Sequence, residues 1–307
     1  MIDFYLAGCE TSTHFKLAAS EKVNILMSYW ALGNFENWKT MYNDCVKDYT
    51  PKIIIDSGAF SAWTRGKVID VDEYIEFLNN NEEWFTLYGQ IDTIPGTREG
   101  NPPTIKEVSE AAGKTWDNYL YMRERLKNPD KLLYTFHVGE PLNQLKEALE
   151  WKDENGQGMK YMALGGMVGK NAFVRESFLE SCFHIIENSS NPNVKVHGFG
   201  MTSNEVMRKF PLTSVDSTSW ILTAAMGSIM TDVGSVVISE VQSNHKNSKT
   251  SCEVSMNNLE ELIKPYGINL EELKTSCYSR QIYHLRYLTD KANKLECRRL
   301  PKKKKLF

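Results

Sequence analysis

Asp56, Asp92 and Asp216 each stand at the end of a short apolar run, where a carboxylate can do chemistry that a solvent-loop aspartate cannot. Ile53-Ile54-Ile55 runs into Asp56-Ser57-Gly58. Four further runs have the same polar ending, in Gln90-Ile91-Asp92-Thr93, Phe136-His137-Val138-Gly139-Glu140, Leu164-Gly165-Gly166-Met167 and Val196-His197-Gly198-Phe199-Gly200. A sixth, Ser214-Val215-Asp216-Ser217-Thr218, presents another carboxylate. An apolar run of this length reads as a buried strand that delivers polar groups at its C-terminal end. Taken singly, each aspartate is as well explained as a helix cap. Taken together, three carboxylates at separate strand ends can flank one bond, which is the arrangement of a retaining glycosyl transfer. The glycines beside them let a ligand approach backbone amides.

The elements that must position these residues follow from the alternation of apolar runs with amphipathic stretches. Strands are expected at Ile2–Ala7, Val23–Trp30, Ile53–Asp56, Phe85–Asp92, Leu132–Val138, Tyr161–Gly165, Val194–Phe199 and Thr213–Asp216. Helical patterns lie at Val71–Leu78, Ile105–Leu126, Leu142–Trp151, Ala172–Ile186 and Asn204–Phe210. Eight strands mostly separated by helices predict an α/β fold, a (β/α)8 barrel, whose strand C-termini converge on one pocket. The first two units are the weakest, because Thr11–Ser20 makes a poor crossover helix. After Asp216 the pattern changes: Ile221–Met230 reads as helix, Ser235–Val241 as an extra strand, Asn244–Ser251 as a polar loop, and Leu259–Pro265 and Leu270–Asn293 as helices. The division expected is a catalytic barrel over residues 1–234 and a helical, basic C-terminal appendage over 235–307, packed beside the barrel mouth.

Composition narrows the classes. No stretch approaches the roughly 20 apolar residues of a membrane span, and the N-terminus lacks a basic region followed by an apolar run, so a cytoplasmic protein is expected. The six cysteines show no paired close spacing, which disfavours a disulfide framework. The net charge of −3 hides an asymmetry, because residues 275–307 carry about +8 and leave about −11 for the rest. A basic end on an acidic body suits a polyanion. Arg280, Arg286, Lys291 and Lys294 fall along one expected helix and are the nucleic-acid-binding residues anticipated there. Lys302–Lys305 reads equally well as a solubilising tail.

The ordered series of strand-end motifs over residues 50–220 resembles the tRNA-guanine transglycosylase superfamily, most closely its compact phage relatives that insert 7-deazaguanine bases into DNA. The resemblance implies base exchange through a covalent aspartyl-glycosyl intermediate. It assigns Asp216 as the nucleophile and Asp56 to base binding and proton transfer. Ser57, Gly58 and Phe60 complete the Asp-Ser-Gly element, with the aromatic stacking on the base. Asp92 matches a second base-reading carboxylate, and His137 takes roughly the place of a glutamine that contacts the base. Gly165, Gly166 and Met167 resemble a turn whose backbone meets the base, and His197 matches a residue covering its other face. A carboxylate suits the adjacent N–H donors of the guanine edge, and a π-face suits an aromatic neighbour. The target nucleoside must be flipped out or met in a single strand. The implied partners are DNA and a free 7-deazaguanine base, the implied role is protection of phage DNA from restriction, and no redox cofactor or ATP is needed. A homodimer is open.

The chain also departs from that family. The tRNA enzymes carry a compact zinc motif that is missing here. Cys252, Cys277, His284 and Cys297, separated by 24, 6 and 12 residues, are the local substitutes and match no standard zinc signature. The missing motif and the short chain favour DNA over tRNA. The alternatives are a tRNA-guanine transglycosylase, a non-catalytic nucleic-acid-binding barrel, and a simple glycoside hydrolase that releases base without replacing it.

Overall fold

The computed structural model describes residues 2–97, 102–167, 169–232, 234–239 and 256–294. The chain opens with β1 (Asp3–Ala7), α1 (Ser12–Ser20), β2 (Asn24–Ser28), α2 (Phe35–Cys45), β3 (Ile53–Asp56), α3 (Ala59–Thr64), α4 (Val71–Asn80) and β4 (Leu87–Gly89). It continues through α5 (Ile105–Arg125), β5 (Leu132–His137), α6 (Leu142–Glu150), β6 (Tyr161–Gly165), α7 (Ala172–Glu187), β7 (Lys195–Gly198), α8 (Asn204–Lys209) and β8 (Ser214–Ser217). The final part holds α9 (Ser219–Ala225), β9 (Ser228–Thr231), β10 (Gly234–Val237), α10 (Met256–Ile263), α11 (Leu270–Thr275) and α12 (Cys277–Lys294). Strands β1 to β8 pair in order and in parallel, and β8 returns to β1 to close the barrel. This is the (β/α)8 architecture expected from the sequence.

Alternation along the strands separates two apolar populations. Tyr5, Ala7, Leu26, Ile54, Leu87, Leu133, Tyr161 and Ala163 form one cluster with Phe199. Their neighbours Leu6, Ile25, Ile53, Ile55, Tyr88, Tyr134, Met162 and Val215 join the larger cluster under the helices. The first set fills the barrel interior, and the second seats the helices. Stepping two residues further along the inward face reaches Asp56, Gly89, Thr135 and Gly165 at the mouth.

The early crossover helices form despite their weak patterns. Thr11 caps α1 by accepting the His14 amide, and Phe15, Leu17, Ala18 and Ala19 bury its inner face. The helix α2, which the sequence pattern does not predict, is capped by Asn34 and buries only Phe35 and Trp38. Beyond β8, the helix expected over Ile221–Met230 ends at Ala225. Ser228–Thr231 instead pairs antiparallel with β10. This hairpin straddles residue 234, where the sequence pattern divides barrel from appendage.

The C-terminal helix lies along the barrel wall rather than beside the mouth. It packs on β1, α9 and β9, and the Ala292 carbonyl accepts the Ile2 amide at the strand's N-terminal end. Tyr283, Leu285 and Leu288 belong to the same core as the barrel helices. Among the described residues, no helix is long and apolar enough to cross a membrane.

Candidate active site

Asp56 ends β3 on the inward face, and its position depends on two glycines. Gly58 has φ +76°, and its amide donates to Asp56 Oδ2 at 3.0 Å. A Cβ on Gly58 would overlap the Ser28 hydroxyl and lie 2.7 Å from Trp30 Cβ, so no other residue fits without moving β2. A Cβ on Gly89 would lie 2.7 Å from Asp56 Oδ1, so the bare glycine of β4 is the space that the carboxylate occupies. Burial raises the Asp56 pKa, the Asp92 and Asp216 charges raise it further, and the Gly58 and Ser57 amides oppose them. The result is about 7. Asp56 therefore shares one electrostatic environment with both other aspartates.

Asp92 is held from two sides. Gln90 Nε2 donates to Oδ1 at 3.1 Å, and His137 Nε2 lies 3.3 Å from Oδ2. On the opposite edge of the ring, His137 Nδ1 is 3.0 Å from Glu140 Oε1, and the His137 amide donates to Glu140 Oε2. Burial works against the imidazolium, but Asp92 and Glu140 outweigh it and raise the pKa to about 10. His137 is thus a charged clamp with both nitrogens engaged, and it positions Asp92 instead of offering a free donor to a base. Gly165 makes room for it, since a Cβ there would sit 3.1 Å from His137 Cδ2. Gly166, at φ +75°, is exposed at the mouth, and Met167 is buried behind it. Gln90 is itself buried, and its Oε1 has no hydrogen-bond partner among the described residues.

Asp216 is the penultimate residue of β8, beside Tyr5 of β1. Its Oδ1 accepts the Gly200 amide at 2.9 Å and lies 3.2 Å from His197 Nε2. His197 Nδ1 is 2.7 Å from the Ser214 hydroxyl, which is 2.9 Å from the Tyr161 hydroxyl. With a neutral ring the contacts are satisfied when Tyr161 donates to Ser214, Ser214 to Nδ1, and Nε2–H to Asp216. The relay is buried, and His197 is wholly inaccessible.

That placement corrects the role expected for His197. A ring with no exposed surface cannot cover a base, and the hydrogen bonds make it the support of Asp216. Phe199, next on the same face, packs edge-on against it at 4.7 Å and rests on the barrel-interior cluster. Ser57 is also corrected as a substrate contact. It is fully buried, and its hydroxyl accepts the Ala59 amide. Phe60 is 62% exposed at the start of α3, stacked on Trp63 with a face left open.

The expected basic face of α12 does not exist as a surface stripe. Arg280 is buried and donates to the carbonyls of Ala224 and Leu273. Arg286 forms a two-point ion pair with Glu21, with both N–O distances 2.8 Å, and Lys291 pairs with Asp232. Lys294 is exposed, paired with Asp290 one turn earlier. Three of the four cations tie the helix to its neighbours, Arg286 to Glu21 after α1, Arg280 to α9 and α11, and Lys291 to Asp232, which leaves little for a polyanion.

Of the zinc substitutes, Cys252 and Cys297 lie outside the described residues. His284 is fully buried, with Nδ1 donating to the Trp220 carbonyl and Nε2 accepting the Met230 amide, both at 3.1 Å. Burial holds its pKa down at about 4. Both nitrogens are consumed by backbone, so His284 is a structural link rather than a ligand. Among the described residues no group of three His, Cys, Asp or Glu side chains is placed to hold a metal ion.

Residues given no role from sequence complete the site: Gln90, Glu140, Gly200 and Ser214 from the strand-end motifs, and Gly89 and Tyr161 from outside those motifs. The i,i+3 spacing of His137 and Glu140 is a readable signal, as is the parity that puts Ser214 and Asp216 on one face. Nothing local marks Tyr161, which reaches Ser214 across 53 positions. No protein-family model matches the chain, and no curated protein is significantly similar to it.

Proposed function

We propose that this chain is a guanine transglycosylase that exchanges guanine in DNA for a 7-deazaguanine base. The observation that carries the reading is the set of three strand-end aspartates in one electrostatic environment. Asp56 is held near 7 by burial and by its neighbours' charges, and Asp216 is fixed by the Gly200 amide and the buried His197 relay. Asp216 attacks the sugar C1′ as the C1′–N9 bond breaks, and the departing guanine takes a proton from the Asp56 carboxyl. The incoming base then gives its N9 proton to the Asp56 carboxylate. Its N9 attacks C1′, and the ester bond breaks to restore Asp216. Two inversions give retention. Asp92 and the unpartnered Gln90 Oε1 suit the N–H donors of a guanine edge, and Phe60 suits its π-face.

Incubation with radiolabelled guanine and either DNA or tRNA tests the reading. Label entering DNA, and not entering with Asp216→Asn, is expected. Label entering only tRNA would transfer the same chemistry to the other polymer. Free guanine with abasic sites and no incorporation would make the enzyme a hydrolase. Full exchange by Asp216→Asn would refute the mechanism.

A further inference from the structure

We infer that two segments of the mouth rim, Phe60–Lys67 and Lys170–Arg175, form a platform for single-stranded DNA on either side of the nucleotide being exchanged. The inference rests on the transglycosylase reading and gives it the polymer contact that α12 does not supply.

Among the described residues, the large exposed apolar side chains of the barrel are gathered on one face. Phe60, Val68, Ile105, Leu142, Phe173 and Leu222 are each at least 41% exposed. Every one lies in, or just before, the first turn of a helix that follows a strand or leads back along one. In a parallel barrel those helix starts surround the C-terminal mouth, the end at which Asp56, Asp92 and Asp216 stand. An apolar rim on a wet surface marks a contact site.

Charge identifies the occupant. Between Ser57 and Ile69 the chain carries Arg65 and Lys67 and no carboxylate, and between Gly169 and Arg175 it carries Lys170 and Arg175 and no carboxylate. Arg65, Lys67 and Lys170 are exposed, unlike Arg280, Arg286 and Lys291 of α12. Each acid-free segment also holds an exposed phenylalanine, Phe60 at 62% and Phe173 at 79%. Cations alternating with open aromatic faces match a strand that offers phosphates and unstacked bases in turn.

The test is fluorescence anisotropy of a fluorescein-labelled single-stranded oligodeoxynucleotide titrated with the full chain carrying Asp216→Asn, so that no covalent capture contributes. Adding Arg65→Glu with Lys67→Glu should weaken binding at least about tenfold and flatten the log K against log salt slope by about 1.4, two phosphate contacts at about 0.7 each. Phe173→Ala should weaken it by about 5-fold or more. Thermal unfolding should be unchanged for both. Base exchange is followed in parallel on the same substitutions in the Asp216 protein. Unchanged DNA affinity with exchange intact would overturn the platform and leave the transglycosylase reading standing. Weakened affinity in a protein that exchanges no base on any polynucleotide would support the platform and overturn that reading. Tighter binding to duplex DNA, or to RNA of the same sequence, would overturn the single-stranded DNA assignment. A dimer that Phe173→Ala dissociates, with DNA affinity unchanged, would give the face to a second copy and overturn the platform.

Discussion

On the proposed reaction, Asp56 must be a carboxylic acid in the first half and a carboxylate in the second, so the two half-reactions should respond to pH in opposite directions. Its pKa of about 7 makes this measurable. At pH 8 about one-tenth of the enzyme carries the proton, and at pH 6 about nine-tenths does. Formation of the covalent DNA adduct, followed on denaturing gels in single turnover, should fall about tenfold per pH unit above 7. Capture of the isolated adduct by excess free base should fall about tenfold per unit on the acid side of a midpoint below 7, because the esterified Asp216 no longer adds its charge against Asp56. The two profiles should cross just below 7. Asp92→Asn removes the larger of the two neighbouring charges that hold Asp56 up, and the crossing should move to lower pH by on the order of one unit. A crossing below about pH 5, the range of an unperturbed carboxylate, would refute Asp56 as the proton carrier. So would two half-reactions that fall together on the same side. A crossing unmoved by Asp92→Asn would refute the coupling of the two charges.

Gly89→Ala should push the Asp56 carboxylate out of its space, because the new Cβ would lie 2.7 Å from Oδ1. A loss of about 10²-fold in exchange rate, from displacement of one reacting group, is expected by steady-state assay. Ser214→Ala breaks the relay behind Asp216 without touching substrate. It should lower kcat about tenfold and leave KM unchanged, and a change confined to KM would argue against a positioning role. His284 should make the fold acid-sensitive. Its folded pKa of about 4 is below the unfolded value of about 6.5, so its contribution is intact above pH 6.5 and is lost as pH falls toward 4, by about 3 kcal/mol at most. Urea unfolding of wild type and His284→Gln across that window checks this. Equal pH slopes in the two proteins would contradict it.

The barrel was legible because each strand carries its own address. Ile53-Ile54-Ile55 is apolar on both faces, as a strand buried between barrel interior and helices must be, and the polar residues after it mark the mouth. What failed to read was depth and partnership. Lys195, His197 and Phe199 share a face by simple alternation, but their spacing does not reveal that the His197 ring lies beneath the pocket rather than over it. The basic stripe of α12 failed for a related reason. Helical spacing groups Arg280, Arg286 and Lys291, but the partners that neutralise or bury them are Glu21, Asp232 and the end of α9, up to 265 positions away. The helix α2 was missed because two buried aromatics in eleven residues give little periodic signal.

Three carboxylates in one pocket repel one another, and the structure accommodates each in a different way, which separates their roles. Asp92 faces His137, which Glu140 holds from its other nitrogen, so its side chain is fixed in a chain of contacts and suits binding. Asp216 receives the Gly200 amide and the His197 ring on one oxygen, which fixes its orientation and leaves Oδ2 for attack on carbon. Asp56 has only the amides of its own turn against burial and two like charges, so its accommodation is to hold a proton part of the time. A site that needs one group to bind, one to attack and one to pass a proton obtains all three from a single residue type, distinguished by what each is hydrogen-bonded to. Gly89, His137 and His197 make that distinction: one clears space, one supplies charge, and one supplies a donor backed by Ser214 and Tyr161.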